Sequence, residues 1–536
     1  MISRLTPARQ ALALLLLHVL LWTALPLLVS RNLPLDTVEA LAWGREWQWG
    51  YHKHPPLSGW FAEMARVGAH DWPLYLLSQL MVGCAMVASW LLARDLLGRD
   101  AASERLALVA VMALEGVHYY NLSSVEFNAN VVMFPFWAGA SLCLWRAMQP
   151  VLRAPPGLPA GAPKPESGLG WWLGLGLCCG LGLMGKYVFA LLPLAILAYT
   201  VIQPRARAAW RTPGPWLALA LALLINLPHL MWAARLDWPT IRYAVGRGHT
   251  EGLTLEGSWL REFMSFVVAQ ALALSPLFGL LALLGRGQVV PRPAAERWLI
   301  FTLGAGPLLL LMLAATLAQA RMVHMWATPF FVCSATLWLG WRRPVQPRLG
   351  RFTLGWAMWM ALMVTSYAAI YLLGPQVKHR LDRLSFPGRE VAAELSARWR
   401  AETGHPLAIV GGEEFVAGSL GHYAPDRPSV FYDADLSESL WLDEARVHRE
   451  GALFVWPISR GEHLPADLPP DSRTQVAPLL ARFPHTQARP TFVMQTSWMG
   501  RPYVVAMAWA VLPPEDKASL APSASASAPG APGKSP

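Results

Sequence analysis

Asp36 and Glu39 stand three residues apart, and after Trp43 and Trp47 the chain continues Tyr51-His52-Lys53-His54-Pro55-Pro56-Leu57. On a helix the two carboxylates would share a face. Acids so placed suit the orientation and deprotonation of a nucleophile. The adjoining Lys53, His52 and His54 suit the grip on a phosphate whose negative charge grows as it departs. A transferase with a phosphate-activated donor needs both halves. Two plainer readings stand beside this one. Asp-x-x-Glu also fits a capping box, with Asp36 capping a helix and Glu39 reaching back to its first amide, and the tryptophans could anchor at a lipid interface. Neither explains three cationic or titratable groups beside a bilayer, a costly cluster unless something anionic sits there.

The elements that must position these residues are membrane helices. Of the 536 residues 54% are hydrophobic and 15% charged, whereas soluble domains carry roughly 25% charged residues. Apolar runs near bilayer-crossing length recur from residue 11 to residue 374. About eleven segments are expected, centred near residues 20, 83, 111, 139, 178, 194, 224, 273, 308, 332 and 363. The fifth and sixth could form one hairpin broken around Lys186. The first run follows Arg4 and Arg9 but lacks a small-residue cleavage pattern, so it reads as a retained helix.

The net charge of +10 does not imply nucleic acid, because the basic residues lie in small groups between apolar spans. Alternate loops carry Arg94, Arg99 and Arg105; Arg146, Arg153 and Lys164; Arg205, Arg207 and Arg211; Arg286, Arg292 and Arg297; then Arg342, Arg343, Arg348 and Arg351. By the positive-inside rule these loops and the N-terminus are cytoplasmic, and an odd number of crossings puts the C-terminal domain outside. The expected setting is the inner membrane of a bacterium, with that domain periplasmic.

The chain divides into a membrane domain over residues 1–377, an α/β domain over 378–512 and a Pro/Ala/Ser-rich disordered tail over 513–536. In the α/β domain, residues 407–410, 452–456, 491–494 and 503–509 read as strands and 390–400 as a helix. Residues 150–167 read as a flexible cytoplasmic loop. All five cysteines fall in apolar spans, which excludes a disulfide framework and a zinc site.

The run Leu-Asp-x-x-Glu followed by Trp-Gly-Tyr-x-Lys-His-Pro-Pro-Leu-x-x-Trp, residues 35–60, resembles the first external loop of the dolichyl-phosphate-mannose protein mannosyltransferases and the bacterial aminoarabinose transferases of lipid A. These enzymes share the GT-C fold. The resemblance implies a mainly α, polytopic membrane protein with an outer α/β domain. It implies transfer of a sugar from a polyprenyl-phosphate donor to a lipid, glycan or protein acceptor. Asp36 matches the residue held to be the catalytic base. The neighbouring acid of the family is Thr37 here, so Glu39 supplies the second carboxylate or is only structural. The family's Lys-Pro-Pro turn stands as His54-Pro55-Pro56 with Lys53 one place earlier, leaving open which of Lys53 and His54 meets the phosphate. Gly182-Leu183-Met184-Gly185-Lys186 resembles a further family stretch and gives Lys186 a donor-phosphate role, the alternative being a lysine that snorkels to the interface.

Glu126, Asn128 and Asn130 stand at the outer mouth of the fourth span and could line an acceptor cavity or start a helix. Arg321 and His324 are placed for phosphate binding or for interface anchoring. Arg242, Arg247 and His249 lie in an outer loop, residues 238–259, expected to be mobile. Gly411-Gly412-Glu413-Glu414 reads as an ordinary strand-to-helix turn, with no nucleotide-binding spacing. A single in-line displacement would invert the anomeric carbon. Metal use stays open: two nearby carboxylates could hold a divalent cation, but no histidine spacing names one. The alternative is a transporter or flippase for a lipid-linked or anionic solute. No repeat between the halves supports it, and the charged cluster lies at the surface rather than at mid-depth.

Overall fold

The computed structural model describes residues 6–153, 168–248 and 258–515. Most of the expected loop at 150–167, His249 and nearly all of the expected disordered tail lie outside them. The helices run α1 (Pro7–Val29), α2 (Leu35–Glu46), α3 (Leu57–Ala65), α4 (Trp72–Leu97), α5 (Ala101–Leu114), α6 (Ala129–Leu152), α7 (Leu169–Gly185), α8 (Leu191–Ile202), α9 (Pro213–Arg235), α10 (Pro239–Gly248), α11 (Ser258–Ala282), α12 (Ala294–Ala318), α13 (Ser334–Trp341) and α14 (Leu349–Lys378).

All eleven expected segments are helical. Among the described residues, seven (α1, α4, α6, α9, α11, α12 and α14) are long and apolar enough to cross a membrane. The other four, at α5, α7, α8 and α13, are shorter because the chain breaks at polar or turn-forming residues. The sharpest break separates α7 from α8. Lys186 is extended there (φ −165°, ψ 141°), and a single 3₁₀ turn, Tyr187–Ala190, restarts the helix. Glycines on α7 let its neighbours come close, as small residues do between membrane helices. A Cβ at Gly176 would stand 2.5 Å from the Ala218 carbonyl oxygen of α9, and one at Gly182 would meet the Phe189 ring at 2.3 Å.

Several polar side chains within the bundle pair across helices. His18 of α1 and Glu115 at the end of α5, both buried, meet at 2.5 Å (Nδ1 to Oε1). At the arginine-rich end, Arg292 donates to the Leu96 carbonyl at 2.5 Å and the Gly340 carbonyl at 3.0 Å, and Arg343 to the Leu97 carbonyl at 2.5 Å. These close the ends of α4 and α13, whose last carbonyls lack helical partners. Arg146 pairs with Asp95 at 2.5 Å and Arg94 with Glu104 at 2.7 Å. A two-stranded ribbon, β1 (Gly287–Val289) with β2 (Arg342–Pro344), ties the α11–α12 and α13–α14 connections together.

Beyond α14 follow α15 (Gly388–Thr403), β3 (Ile409–Gly412), α16 (Glu414–Tyr423), β4 (Ser429–Tyr432), α17 (Glu444–Glu450), β5 (Ala452–Ser459), α18 (Arg473–Arg482), β6 (Gln487–Ala488), β7 (Phe492–Trp498) and β8 (Arg501–Leu512). The sheet order is β4-β3-β5-β8-β6, with β7 also paired to β8. β3 runs parallel to β4 and β5, and the strands paired with β8 are antiparallel to it. β3 and β4 are buried throughout: β3 is a central parallel strand, and β4, at the sheet's edge, is covered by α2, whose Arg45 and Glu46 meet Ser429.

The α/β domain seats on the connection between α1 and α4. That connection is the α2–α3 pair, packed so closely that a Cβ on Gly44 would stand 2.2 Å from the Gly59 carbonyl oxygen. Helix α16 lies on α2, where Gly418 faces Val38. Asn32 donates to Ser419 at 3.2 Å, and the Leu33 amide to the Tyr423 hydroxyl at 3.0 Å. Arg45 donates to the Arg427 carbonyl at 2.7 Å, and Arg427 pairs with Glu63. Any motion of this sheet is therefore felt at α2.

Candidate active site

Helix α2 begins after Pro34, which places Asp36 in the first turn rather than at the cap. The capping box is not formed, because Glu39 turns instead to Lys53 at 2.7 Å. What fixes Asp36 is the start of α6. There Asn128 caps the helix, its Oδ1 accepting from the amides of Asn130 at 2.9 Å and Val131 at 3.2 Å. With the oxygen so occupied, its Nδ2 donates to Asp36 Oδ2 at 3.1 Å. Glu126 accepts the Asp36 amide at 2.9 Å. Asn128 is thus both cap and site residue. Asn130, on the next position but one, accepts from Lys186 Nζ at 2.9 Å. The break between α7 and α8 thereby delivers its lysine to the wall that carries Asp36.

The loop between α2 and α3 is pinned by α9 and α10. His229 bonds the Trp49 carbonyl through Nδ1 at 2.7 Å, so that nitrogen carries the hydrogen and Nε2 accepts from the Tyr187 hydroxyl at 2.6 Å. Thr240 donates to the Tyr51 carbonyl at 2.8 Å. Gly50 allows the approach, since a Cβ there would fall 2.3 Å from the Trp232 ring. Trp43 stacks on Tyr51, with the rings of His52 and His54 edge-on to it.

Asp36, Glu39, Lys53, His54, Asn128, Asn130 and Lys186 line one cavity of about 530 Å³, joined by Tyr243 of α10 and Glu414 of α16. A second cavity of about 890 Å³ lies across Leu35, Asn128 and Asn130, which line both. Glu126, His118, His324, Tyr371, Lys378 and Arg383 face it. Asp36 therefore stands where two chambers abut, one rich in lysine and acid, the other between the helix bundle and the α/β domain.

The charges are uneven. Burial pushes the Asp36 carboxyl above the ordinary aspartate range, Lys186 and Lys53 draw it back, Glu414 adds to the rise, and the Asn128 bond lowers it. Burial, then the hydrogen bond shared with Glu414, holds Glu39 well above the usual carboxylate range, so it keeps its proton; Lys53 opposes this. Burial also works against ionised Glu414, but the Glu39 bond and Lys53 overcome it and bring the carboxyl down to about 2. Lys53 is raised despite burial by Glu39 and Glu414, which both bind its ammonium. Glu126 goes up to about 8 through burial and the nearby Asp36 charge.

Of the expected phosphate ligands, the structure gathers Lys53, His54 and Lys186. It does not gather Arg321, which is half-exposed, 3.6 Å from Glu262, and outside both cavities. Residues 320–323 are neither helix nor strand, with Val323 extended, and this break leaves Arg321 outside the cavities while His324 lines the larger chamber. His52 is not a cation here: burial and then Lys53 lower it to about 4. The loop expected to be mobile at 238–259 is helical over α10. Its Arg242 is exposed and pairs with Asp237, whereas Thr240 and Tyr243 face the cavity. Asp36 Oδ2 and Glu39 Oε1 are both engaged by nitrogen donors, and no group of three or more His, Cys, Asp or Glu suited to a metal ion occurs among the described residues. Sequence reasoning missed Glu414 and His229. The acid after a strand, in Gly-Gly-Glu-Glu, was the available signal for the first.

The dolichyl-phosphate-mannose-protein mannosyltransferase family matches residues 53–232, which hold Lys53, Asn128 and Lys186. With the membrane-length helices, this match supports a glycosyltransferase embedded in a membrane, similar to those of GT-C type. It is similar to the lipopolysaccharide core galacturonosyltransferase RgtB of Rhizobium johnstonii, 26% identical across 85% of this chain and 89% of that protein. Lipid A galacturonosyltransferase RgtD of the same organism is 26% identical over 72% of this chain and 76% of its own length. Among solved structures, ArnT from Cupriavidus metallidurans bound to undecaprenyl phosphate aligns with a TM-score of 0.49 at 14% identity, covering 93% of this chain and 97% of that one.

Proposed function

We propose that this transferase moves a sugar from a polyprenyl-phosphate donor to a glycolipid acceptor at the outer face of the inner membrane. The observation that carries the reading is the placement of Asp36 at the junction of two chambers, within reach of Lys186 and Lys53. The donor's phosphate enters the lysine-bearing chamber, with Lys186 as its main cation and Lys53 and His54 beside it. The acceptor hydroxyl approaches from the larger chamber, past Glu126, Asn128 and Asn130. Asp36 takes its proton as the oxygen attacks the anomeric carbon. The phosphate leaves from the opposite face and the configuration inverts. Asn128 keeps the carboxylate aimed, and Glu39, protonated, orients Lys53.

The relatives named above are galacturonosyltransferases of lipopolysaccharide core or lipid A, so polyprenyl-phosphate galacturonate and a core or lipid A acceptor are the first pair to assay. Purified protein in nanodiscs is given that donor with and without acceptor, then other polyprenyl-phosphate sugars, and products are read by mass spectrometry. A sugar-bearing acceptor plus free polyprenyl phosphate is the expected result. Movement of the donor across the bilayer with no glycosylated product would point to the transporter reading and overturn this one.

A further inference from the structure

We propose that Glu414, carried by the α/β domain, is a positioning residue of the transfer site that holds Lys53 and sets the charge met by the donor's phosphate. The inference rests on the reading given above and adds a function for the outer domain. Glu414 opens α16 and lines the same cavity as Asp36 and Lys186. Its Oε1 binds Lys53 Nζ, whose other carboxylate partner is Glu39 at 2.7 Å. The arrangement is built rather than incidental. Glu413 caps α16 through the Val416 amide at 2.9 Å, which fixes the first turn and hence Glu414. Gly418 lets α16 close on Val38 of α2, the helix that bears Asp36 and Glu39. A bulkier residue there would lift Glu414 off Lys53.

Two ionised acids around one lysine would present net negative charge to a phosphate. Burial keeps Glu39 (6% exposed) protonated, so the trio amounts to one neutral ion pair. Lys186 then supplies the cavity's attraction, and Lys53 is held in place without trapping the phosphate after transfer. Loss of the Glu414 charge would unmask Lys53. The product phosphate would bind more tightly, not less.

The test titrates full-length protein in nanodiscs with undecaprenyl phosphate. Wild-type binding that Lys186→Ala abolishes supports the underlying site; absent binding, or binding indifferent to Lys186→Ala, overturns that reading and this proposal with it. Given such binding, Glu414→Gln should bind roughly tenfold more tightly, the scale expected when one unit charge near the phosphate is removed at intermediate dielectric. A loosened domain interface would weaken binding instead, so unchanged or weaker affinity overturns the role of Glu414 and leaves the site standing. Glu414→Ser removes the charge through a different side chain and carries the same expectation should the glutamine variant not fold. In a Lys53→Gln background no ammonium is left to unmask, and the gain from Glu414→Gln should shrink to the direct repulsion between its carboxylate and the phosphate, clearly below the gain seen with Lys53 present. An undiminished gain in that background would overturn the route through Lys53.

Discussion

Replacing Asp36 with asparagine should remove the base and almost nothing else. The side chains are nearly isosteric, and the carboxamide oxygen can still accept from Asn128, now 3.1 Å from Oδ2. The Glu126 contact at 2.9 Å is made by the backbone amide and persists whatever the side chain. The lysines keep their other partners, Asn130 for Lys186 and the Glu39–Glu414 pair for Lys53. A general base contributes about 10²–10⁴ in rate, or about 2.7–5.4 kcal/mol of barrier. The fall belongs in kcat, because removal of a negative charge beside Lys186 does not weaken donor binding. Initial rates of acceptor glycosylation, followed by mass spectrometry across a donor series, separate kcat from KM. In the wild type kcat/KM should fall as acid protonates Asp36, at a pH above that of an ordinary aspartate, since burial raises the group. If Asp36→Asn retains kcat within about tenfold of wild type, the proton is taken elsewhere and the assignment of the base is refuted.

Glu126 holds a proton in the fold up to about pH 8 that an unfolded chain releases at the ordinary glutamate value. Its contribution to stability is thus complete below that ordinary value and lost as pH rises towards 8. Glu126→Gln should raise the apparent Tm at pH 8 by the equivalent of roughly 1–3 kcal/mol, with the gap closing in acid; a gap independent of pH would refute this. Gly418→Leu should overpack α16 against Val38, which a Cβ would already meet at 3.1 Å. The expected cost is about 1–3 kcal/mol, with the α/β domain cleaved faster under limited proteolysis. Single cysteines at Ala102 and Ser437, both exposed, placed in a background lacking the five native ones, should label from opposite sides of the membrane. Labelling from the same side would refute the orientation read from the arginines.

Much of this architecture is legible in the chain because it answers to local rules. Eleven apolar segments and the arginine-rich connections between them follow from the cost of burying charge in lipid, and each segment is helical. Strands β3, β5, β7 and β8 and helix α15 announce themselves by run length and spacing. Four-residue β4 and the short helices α16 to α18 do not, since their burial depends on neighbours distant in sequence. At the site, residues 35–60 disclosed the acid and the lysine because both lie in one short stretch. The function of Asn128 was half visible: a cap is a local device, but its second bond to Asp36 spans 92 positions. Glu414 was half visible in the same way: Gly-Gly-Glu-Glu marks an acid after a strand, but nothing near it in the chain signals a lysine 361 positions away. Arg321 was chosen by residue type, which says nothing of where its segment lies relative to the two cavities.

The arginines that close α4 and α13 carry a consequence for anyone who edits this protein's threading. Arg292 and Arg343 belong to the set that a translocation apparatus would weigh while deciding which loops stay behind. In the finished molecule the same guanidinium groups are carbonyl ligands at 2.5 to 3.0 Å. Swapping them to invert a hairpin would also unfasten two helix ends, so misinsertion and loosened assembly would arrive together in one mutant. Lysine in their place would preserve the vote at insertion while forfeiting the forked grip, and so tells the two duties apart.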